Sequence, residues 1–248
     1  MLPPLTFPSC HPGQKSSFGQ ASNSQTPTQQ IRQVSSPEPC PLCRTPNPDF
    51  YCQDRWRPYW RCRICLLVFV PQESRLSGPD EKARYDQHQN DPSDLRYRHF
   101  LSRLANPLLD RVPKGSIGLD FGSGPGPTLG PMLVEAGLTV HLYDPFYAQD
   151  PEVWNRRYDF ITASEVIEHL HTPNLEFKQL FSVLASKGYL AVMTRWVEDR
   201  DSFINSRYSR DPTHVCFYSL TTCKWIAHRW RSSLEIPKKG IALFRSRR

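Results

Sequence analysis

The residues best suited to chemistry lie between 117 and 126, where the run IGLDFGSGPG sets an acid, Asp120, ahead of glycines at 122, 124 and 126. Glycines at alternating positions let a backbone pass close beneath a ligand, so Gly122, Ser123, Gly124 and Gly126 suit a ribose with an amino-acid tail. Asp120, at the end of the apolar run, suits an ammonium group. A dinucleotide loop would carry its third glycine at 127, where this chain has proline. The spacing therefore argues against a nicotinamide oxidoreductase. Two other sets also carry chemistry. Cys40, Cys43, Cys62 and Cys65 form two C-x2-C pairs separated by eighteen residues, the spacing of a four-thiolate zinc site. Glu165, Glu168 and His169 stand at i, i+3 and i+4, which a helix would bring to one face.

A phosphate-free nucleoside with an amino-acid tail describes S-adenosylmethionine. LDFGSGPG resembles the first motif of the class I S-adenosylmethionine-dependent methyltransferases. YDPF at 143–146 is similar to the acidic end of that family's second strand, and YDFITASEVIEHL at 158–170 resembles its fourth strand and following helix. The resemblance covers residues 115–248. It implies a Rossmann-like α/β sheet, mostly parallel with a C-terminal antiparallel hairpin, and contact, direct or through water, between Asp120 and the methionine ammonium group. Asp144, eighteen residues after Gly126, falls where nucleoside-binding α/β folds place a carboxylate for the ribose hydroxyls.

Methyl transfer is an in-line displacement that relies on alignment and exclusion of water. His169, His171 and His214 are the candidate bases for an acceptor that must lose a proton. The E-x-x-E-H arrangement resembles the metal-binding helix of some O-methyltransferases, including quinone-biosynthesis enzymes and small-RNA 2′-O-methyltransferases. That resemblance implies magnesium at Glu165, Glu168, His169 and His214, with manganese or zinc also admitted. The competing reading gives Glu168 and His169 packing or substrate roles, because this helix start also occurs in methyltransferases without a metal.

The elements that must position these residues follow from pattern. Strands are expected at 117–121, 139–144, 158–163 and 189–194, with Ser164 and Glu165 at the ligand-binding end of the third of these. A helix is expected to begin near Pro127 or Thr128. Only fourteen residues separate Asp144 from Asp159, so the family's third strand has no room and adenine is expected to rest on Phe146, Tyr147 or Trp154. SLEI and IALF, joined by residues 237–240, read as the closing hairpin.

Before these strands, residues 79–112 read as amphipathic helices, and Tyr85, His88, Tyr97 and Arg98 are candidates to reach the pocket. The domain expectation is a disordered tail at 1–36, a zinc ribbon at 37–72, a helical cap at 73–114 and a methyltransferase domain at 115–248.

The tail is rich in Pro, Ser, Gln and Thr and nearly uncharged. A ribbon this small needs its metal to fold, and four cysteines close the coordination sphere, so its zinc is expected to be structural. No apolar run approaches ~20 residues and no secretory signal is evident, which points to a cytoplasmic chain. The net charge of +7 is spread over short basic groups that read as solvated surface in preference to a nucleic-acid footprint. The alternative function is an RNA- or protein-binding zinc ribbon on a non-catalytic methyltransferase-like scaffold. The acceptor stays open among small molecules, lipids, sugars, RNA and protein.

Overall fold

Three short strands, β1 (Asp49–Gln53), β2 (Pro58–Arg61) and β3 (Val68–Phe69), follow the first C-x2-C turn and pair antiparallel. The computed structural model describes residues 38–87 and 90–247. The tail at 1–36 with Cys10, and His88, lie outside the described residues.

Helix α1 (Gly78–Tyr85) starts at Ser77, whose side chain accepts the Asp80 N–H. Helix α2 (Leu95–Leu109) is capped in the same way by Asp94, and its three-and-four spacing buries Leu101, Leu104, Ala105 and Leu108. The chain then alternates: β4 (Ile117–Phe121), α3 (Leu129–Glu135), β5 (Thr139–Tyr143), β6 (Tyr158–Ser164), α4 (Pro173–Val183) and β7 (Leu184–Met193). Two short helices, α5 (Arg200–Ile204) and α6 (Arg207–Arg210), lead to β8 (Cys216–Phe217), α7 (Leu220–Arg229) and the hairpin β9 (Ser232–Lys238) and β10 (Ile241–Ser246).

The main sheet has the order β5-β4-β6-β7-β10-β9, parallel from β5 to β7 and closed by antiparallel β10 and β9. In β6 every residue but Asp159 and Ser164 is buried, as expected of a central parallel strand covered on both faces. Since β5 is an edge strand, the place of the family's third strand is taken by a 3₁₀ turn at Pro151–Asn155. The ribbon sheet takes a fourth strand from far along the chain, because β8 pairs antiparallel with β3. One hydrophobic cluster accordingly runs from Leu42, Tyr59 and Phe69 into Phe177, Phe203 and Phe217. A second, with Leu104, Leu133, Phe160 and Leu243, joins α2 and α3 to the sheet.

Three local expectations are corrected. The helix expected at 165–170 is a bend followed by one 3₁₀ turn, Ile167–His169, because Glu165 sits at φ 54°. Helical continuation is restarted only by Pro173 at the first position of α4. Thr194 falls just past β7, which begins earlier than expected, and α3 begins at Leu129 after Thr128.

Candidate functional site

At the carboxyl end of β4 the chain turns beneath a cavity of about 540 Å³, a size ordinary for a cofactor pocket. Gly122 N–H and Ser123 N–H donate to the Tyr143 carbonyl at 2.8 and 3.3 Å, tying the glycine loop to the end of β5. Gly122 is at φ 76°, and a Cβ there would stand 2.5 Å from Val166. Gly126 is packed differently, since a Cβ would meet the Asn90 carbonyl oxygen at 2.3 Å. We expect Gly126→Ala to push this cap segment outward, lowering stability by about 1–3 kcal/mol and weakening cofactor binding. Paired thermal melts and calorimetric titration with S-adenosylhomocysteine would check it; unchanged values in both would contradict the packing argument.

Asp144 is buried and joins two loops. Its Oδ2 accepts the Gly124 N–H at 2.9 Å, while Oδ1 accepts Phe146 N–H at 2.8 Å and Tyr147 N–H at 3.1 Å. Gly122, Ser123, Gly124, Asp144, Ser164, Glu165, His169 and His214 all line the cavity. Phe146 and Tyr147 line it too, whereas Trp154 packs on Tyr143 and Phe121. Ser123 Oγ and Ser164 Oγ are buried without hydrogen-bond partners among the described residues, polar atoms that a nucleoside with an amino-acid tail would satisfy.

Asp120 and Gly126 stand behind this wall. The Asp120 carboxylate, which does not line the cavity, accepts Thr162 Oγ1–H at 2.7 Å and the Gly130 N–H, so it braces the loop from below. Burial pushes its pKa up to about 6. A carboxyl with a folded pKa above its unfolded value stabilises the fold only while protonated, so stability falls as pH rises from about 4 through 6. Relative to Asp120→Asn, the wild type should lose up to about 3 kcal/mol across that window. Melts of both proteins from pH 4 to 7.5 would show it; parallel curves would refute it.

Behind the far side of the cavity, which His169 and His214 line, lies a denser polar group. Glu168 is fully buried; its Oε2 accepts Thr194 Oγ1–H at 2.9 Å, and Thr194 Oγ1 lies 2.7 Å from Tyr208 OH. Oε1 of Glu168 has no hydrogen-bond partner among the described residues. Burial first, then Glu165, raises the Glu168 pKa to about 8. His169 Nδ1 lies 3.1 Å from the Thr213 carbonyl and His214 Nδ1 2.7 Å from the Tyr208 carbonyl. A carbonyl only accepts, so both Nδ1 atoms carry the proton and Nε2 is the basic nitrogen of each ring.

Ligand atoms of Glu168, His169 and His214 all lie within 4.8 Å of one another. Burial holds His214 below its ordinary pKa, so the ring is neutral at pH 7. Glu165 lies outside this trio, its pKa raised by burial to about 7. The donor set is therefore one carboxylate and two imidazoles, not the two carboxylates on one helix face that the spacing suggested.

His171, the third candidate base, is 3.6 Å from Glu81 Oε2, and burial lowers the His171 pKa and raises that of Glu81, so the surroundings work against an ion pair there. Sequence reasoning missed Thr194, Tyr208, Glu81 and Asp211. The rule that ligands gather at carboxyl ends of parallel strands would have found Thr194; nothing local marks Tyr208.

The four cysteines come together as their spacing implied. Sγ atoms of Cys40 and Cys65 are 3.5 Å apart, those of Cys43 and Cys62 are 3.2 Å apart, and all four lie within 4.8 Å. A tetrahedron of sulfurs about 2.3 Å from zinc has edges of about 3.8 Å, so the donors fit. Arg44 and Leu66, each directly after the second cysteine of its pair, share a left-handed φ of 64° and 56° that turns both sulfurs of the pair inward. Contact with the other sulfurs pushes the Cys65 thiol far up and the Cys43 thiol far down, a mixture that a dication would resolve into four thiolates.

A parallel sheet with a glycine turn and a buried acid at the carboxyl ends of its first two strands is the arrangement of nucleoside-binding α/β folds. A family model described as a methyltransferase domain matches residues 93–230, more than half of the chain. The chain belongs to that family and is an S-adenosylmethionine-dependent methyltransferase.

Among solved structures, it is similar to the Burkholderia thailandensis 1,6-didemethyltoxoflavin-N1-methyltransferase with bound 1,6-didemethyltoxoflavin and S-adenosylhomocysteine. That likeness has 13% identity, 80% of this chain, 99% of the other and a TM-score of 0.47. It is also similar to the Synechocystis magnesium protoporphyrin IX methyltransferase with bound S-adenosylhomocysteine, at 15% identity, 68% and 94% coverage and a TM-score of 0.44. No curated protein sequence matches the chain. No helix among the described residues is long and apolar enough to cross a membrane.

Proposed function

We propose that this methyltransferase modifies an oxygen of its acceptor, using a divalent cation held by Glu168, His169 and His214, and that the four cysteines hold a structural zinc. The observation that carries the oxygen reading is the buried, unpartnered Glu168 Oε1 beside two imidazoles whose Nδ1 protons are committed to backbone carbonyls. Backbone orientation of this kind is how metal-ligating histidines are held. One carboxylate with two nitrogens shifts the preference from magnesium towards manganese or zinc. A cation bound there would supply Lewis-acid polarisation of the acceptor oxygen and lower its pKa.

The chain's own residues do the rest. The glycine loop and Asp144 hold the donor's ribose and amino-acid tail, with Ser123 and Ser164 completing its polar contacts. Asp120 sits beneath them as a buried carboxyl whose ionised form a cationic ligand above the loop would favour. Phe146 and Tyr85 wall the cavity, with ring centroids 5.8 Å apart, and keep water from the line of displacement. Glu165, with its raised pKa, is placed to receive the acceptor's proton. Zinc thiolates require reduced cysteines, which supports a cytoplasmic setting.

The test is a methyl-transfer assay with radiolabelled donor on fractionated cell extract, run on chelated and manganese-reconstituted protein. Label entering an alkali-stable, hydroxyl-bearing pool only after manganese is restored is the expected result. Equal labelling with and without manganese would overturn the metal, and label confined to amines would overturn the oxygen acceptor.

A further inference from the structure

The ribbon reaches the segment beside the active site through the Arg57 guanidinium, the Tyr59 hydroxyl and the Val70 N–H. Arg57, at the turn before β2, is 6% exposed and forms no salt bridge among the described residues. Its Nη2 donates to the carbonyls of Ser209 at 2.8 Å and Asp211 at 2.6 Å, and Nη1 donates to that of Pro212 at 3.3 Å. Its Nε donates to Tyr59 OH at 3.2 Å, and that hydroxyl lies 2.7 Å from the Ser209 carbonyl. A buried cation is costly, and here it is spent on a row of carbonyls left open where α6 ends.

Those carbonyls belong to the segment that orients both imidazoles. Tyr208 O fixes His214 Nδ1, Thr213 O fixes His169 Nδ1, and His214 itself follows directly. Beyond it, Val215 N–H donates to the Glu168 carbonyl at 2.8 Å, and Val70 N–H of the ribbon donates to the Val215 carbonyl at 3.0 Å. Residues 208–215 are thus clamped between the ribbon on one side and the Glu168 turn on the other.

We infer that Arg57 and Tyr59 are positioning residues for the methyltransferase site: through the carbonyls of residues 209–212 they set the tautomer and direction of His169 and His214. This inference rests on the metal-assisted reading above, so its test carries a readout independent of metal.

The experiment uses the full chain, zinc-loaded, as wild type, Arg57→Gln, Arg57→Lys and Tyr59→Phe. In the absence of added metal, ring ¹⁵N shifts of His169 and His214 should report the Nδ1–H tautomer in wild type and a mixture of tautomers in Arg57→Gln, with Tyr59→Phe between them. Manganese affinity, read by electron paramagnetic resonance, should fall by about tenfold or more in Arg57→Gln, with partial recovery in Arg57→Lys. Affinity for S-adenosylhomocysteine and zinc content should stay within twofold.

Unchanged histidine shifts in both Arg57→Gln and Tyr59→Phe would overturn the inference whatever the metal does. If Arg57→Gln does not fold, Tyr59→Phe alone decides, and wild-type shifts in it overturn the inference. Wild type that binds no manganese while the variants still change the histidine shifts would overturn the metal reading and leave the positioning role supported.

Discussion

Cys62→Ser is expected to strip the ribbon of its metal and unfold residues 38–72, the largest stability loss available to a single substitution in this chain. Structural zinc contributes on the order of 10 kcal/mol or more to domains of this size, against total stabilities of about 5–15 kcal/mol. The ribbon's buried apolar side chains, Leu42, Tyr59, Trp60, Leu67, Val68, Phe69 and Val70, are too few to hold its fold without the metal. Damage should also spread, because Tyr59 packs edge-on against Phe203 at 5.0 Å and against Phe217 at 5.8 Å. Elemental analysis should show about one zinc fewer per chain, and hydrogen exchange should show lost protection in β1, β2 and β8. Retained zinc, or exchange protection equal to wild type, would show that the four sulfurs do not act as one site.

Glu168→Gln should produce the opposite pattern: a folded protein that has lost methyl transfer. Glu168 is fully buried and burial raises its carboxyl pKa to about 8, so an isosteric amide costs the fold little. An amide is a poor ligand for a divalent cation, and losing Lewis-acid stabilisation worth several kcal/mol corresponds to roughly a thousandfold in turnover. Binding of S-adenosylhomocysteine should be preserved, since Asp144 and the glycine loop hold it from the other wall. Steady-state rates beside a calorimetric titration and a melt would separate these effects. A variant with wild-type turnover would reduce Glu168 to a buried packing residue.

Local geometry is legible in the residues alone where neighbours in the chain enforce it. The four-cysteine cluster follows from two C-x2-C turns, the glycine turn from Gly122 and Gly124, and the buried acid that ties it down from Asp144 just after β5. The turn at Glu165 was not legible. A glutamate gives no warning that it will occupy φ 54°, and E-x-x-E-H has the spacing of a helix. Resemblance alone sets Asp120 near a ligand ammonium group; its rotamer is decided by Thr162, forty-two residues away, which no local signal marks. Tyr208 and Arg57 were invisible for the same reason: their partners are carbonyls and hydroxyls whose nearness depends on the tertiary fold.

The pairing of Val68 with Phe217 has a consequence for how the chain comes into being. The ribbon leaves the ribosome early, yet the strand that completes its sheet follows roughly 150 residues later. Contacts of such high sequence separation close late and carry their entropic cost up front. During synthesis the cysteines can gather an ion, but β3 keeps an open edge until nearly all of the methyltransferase sheet has emerged. Until β8 arrives, that open edge is a site where the nascent ribbon can mispair.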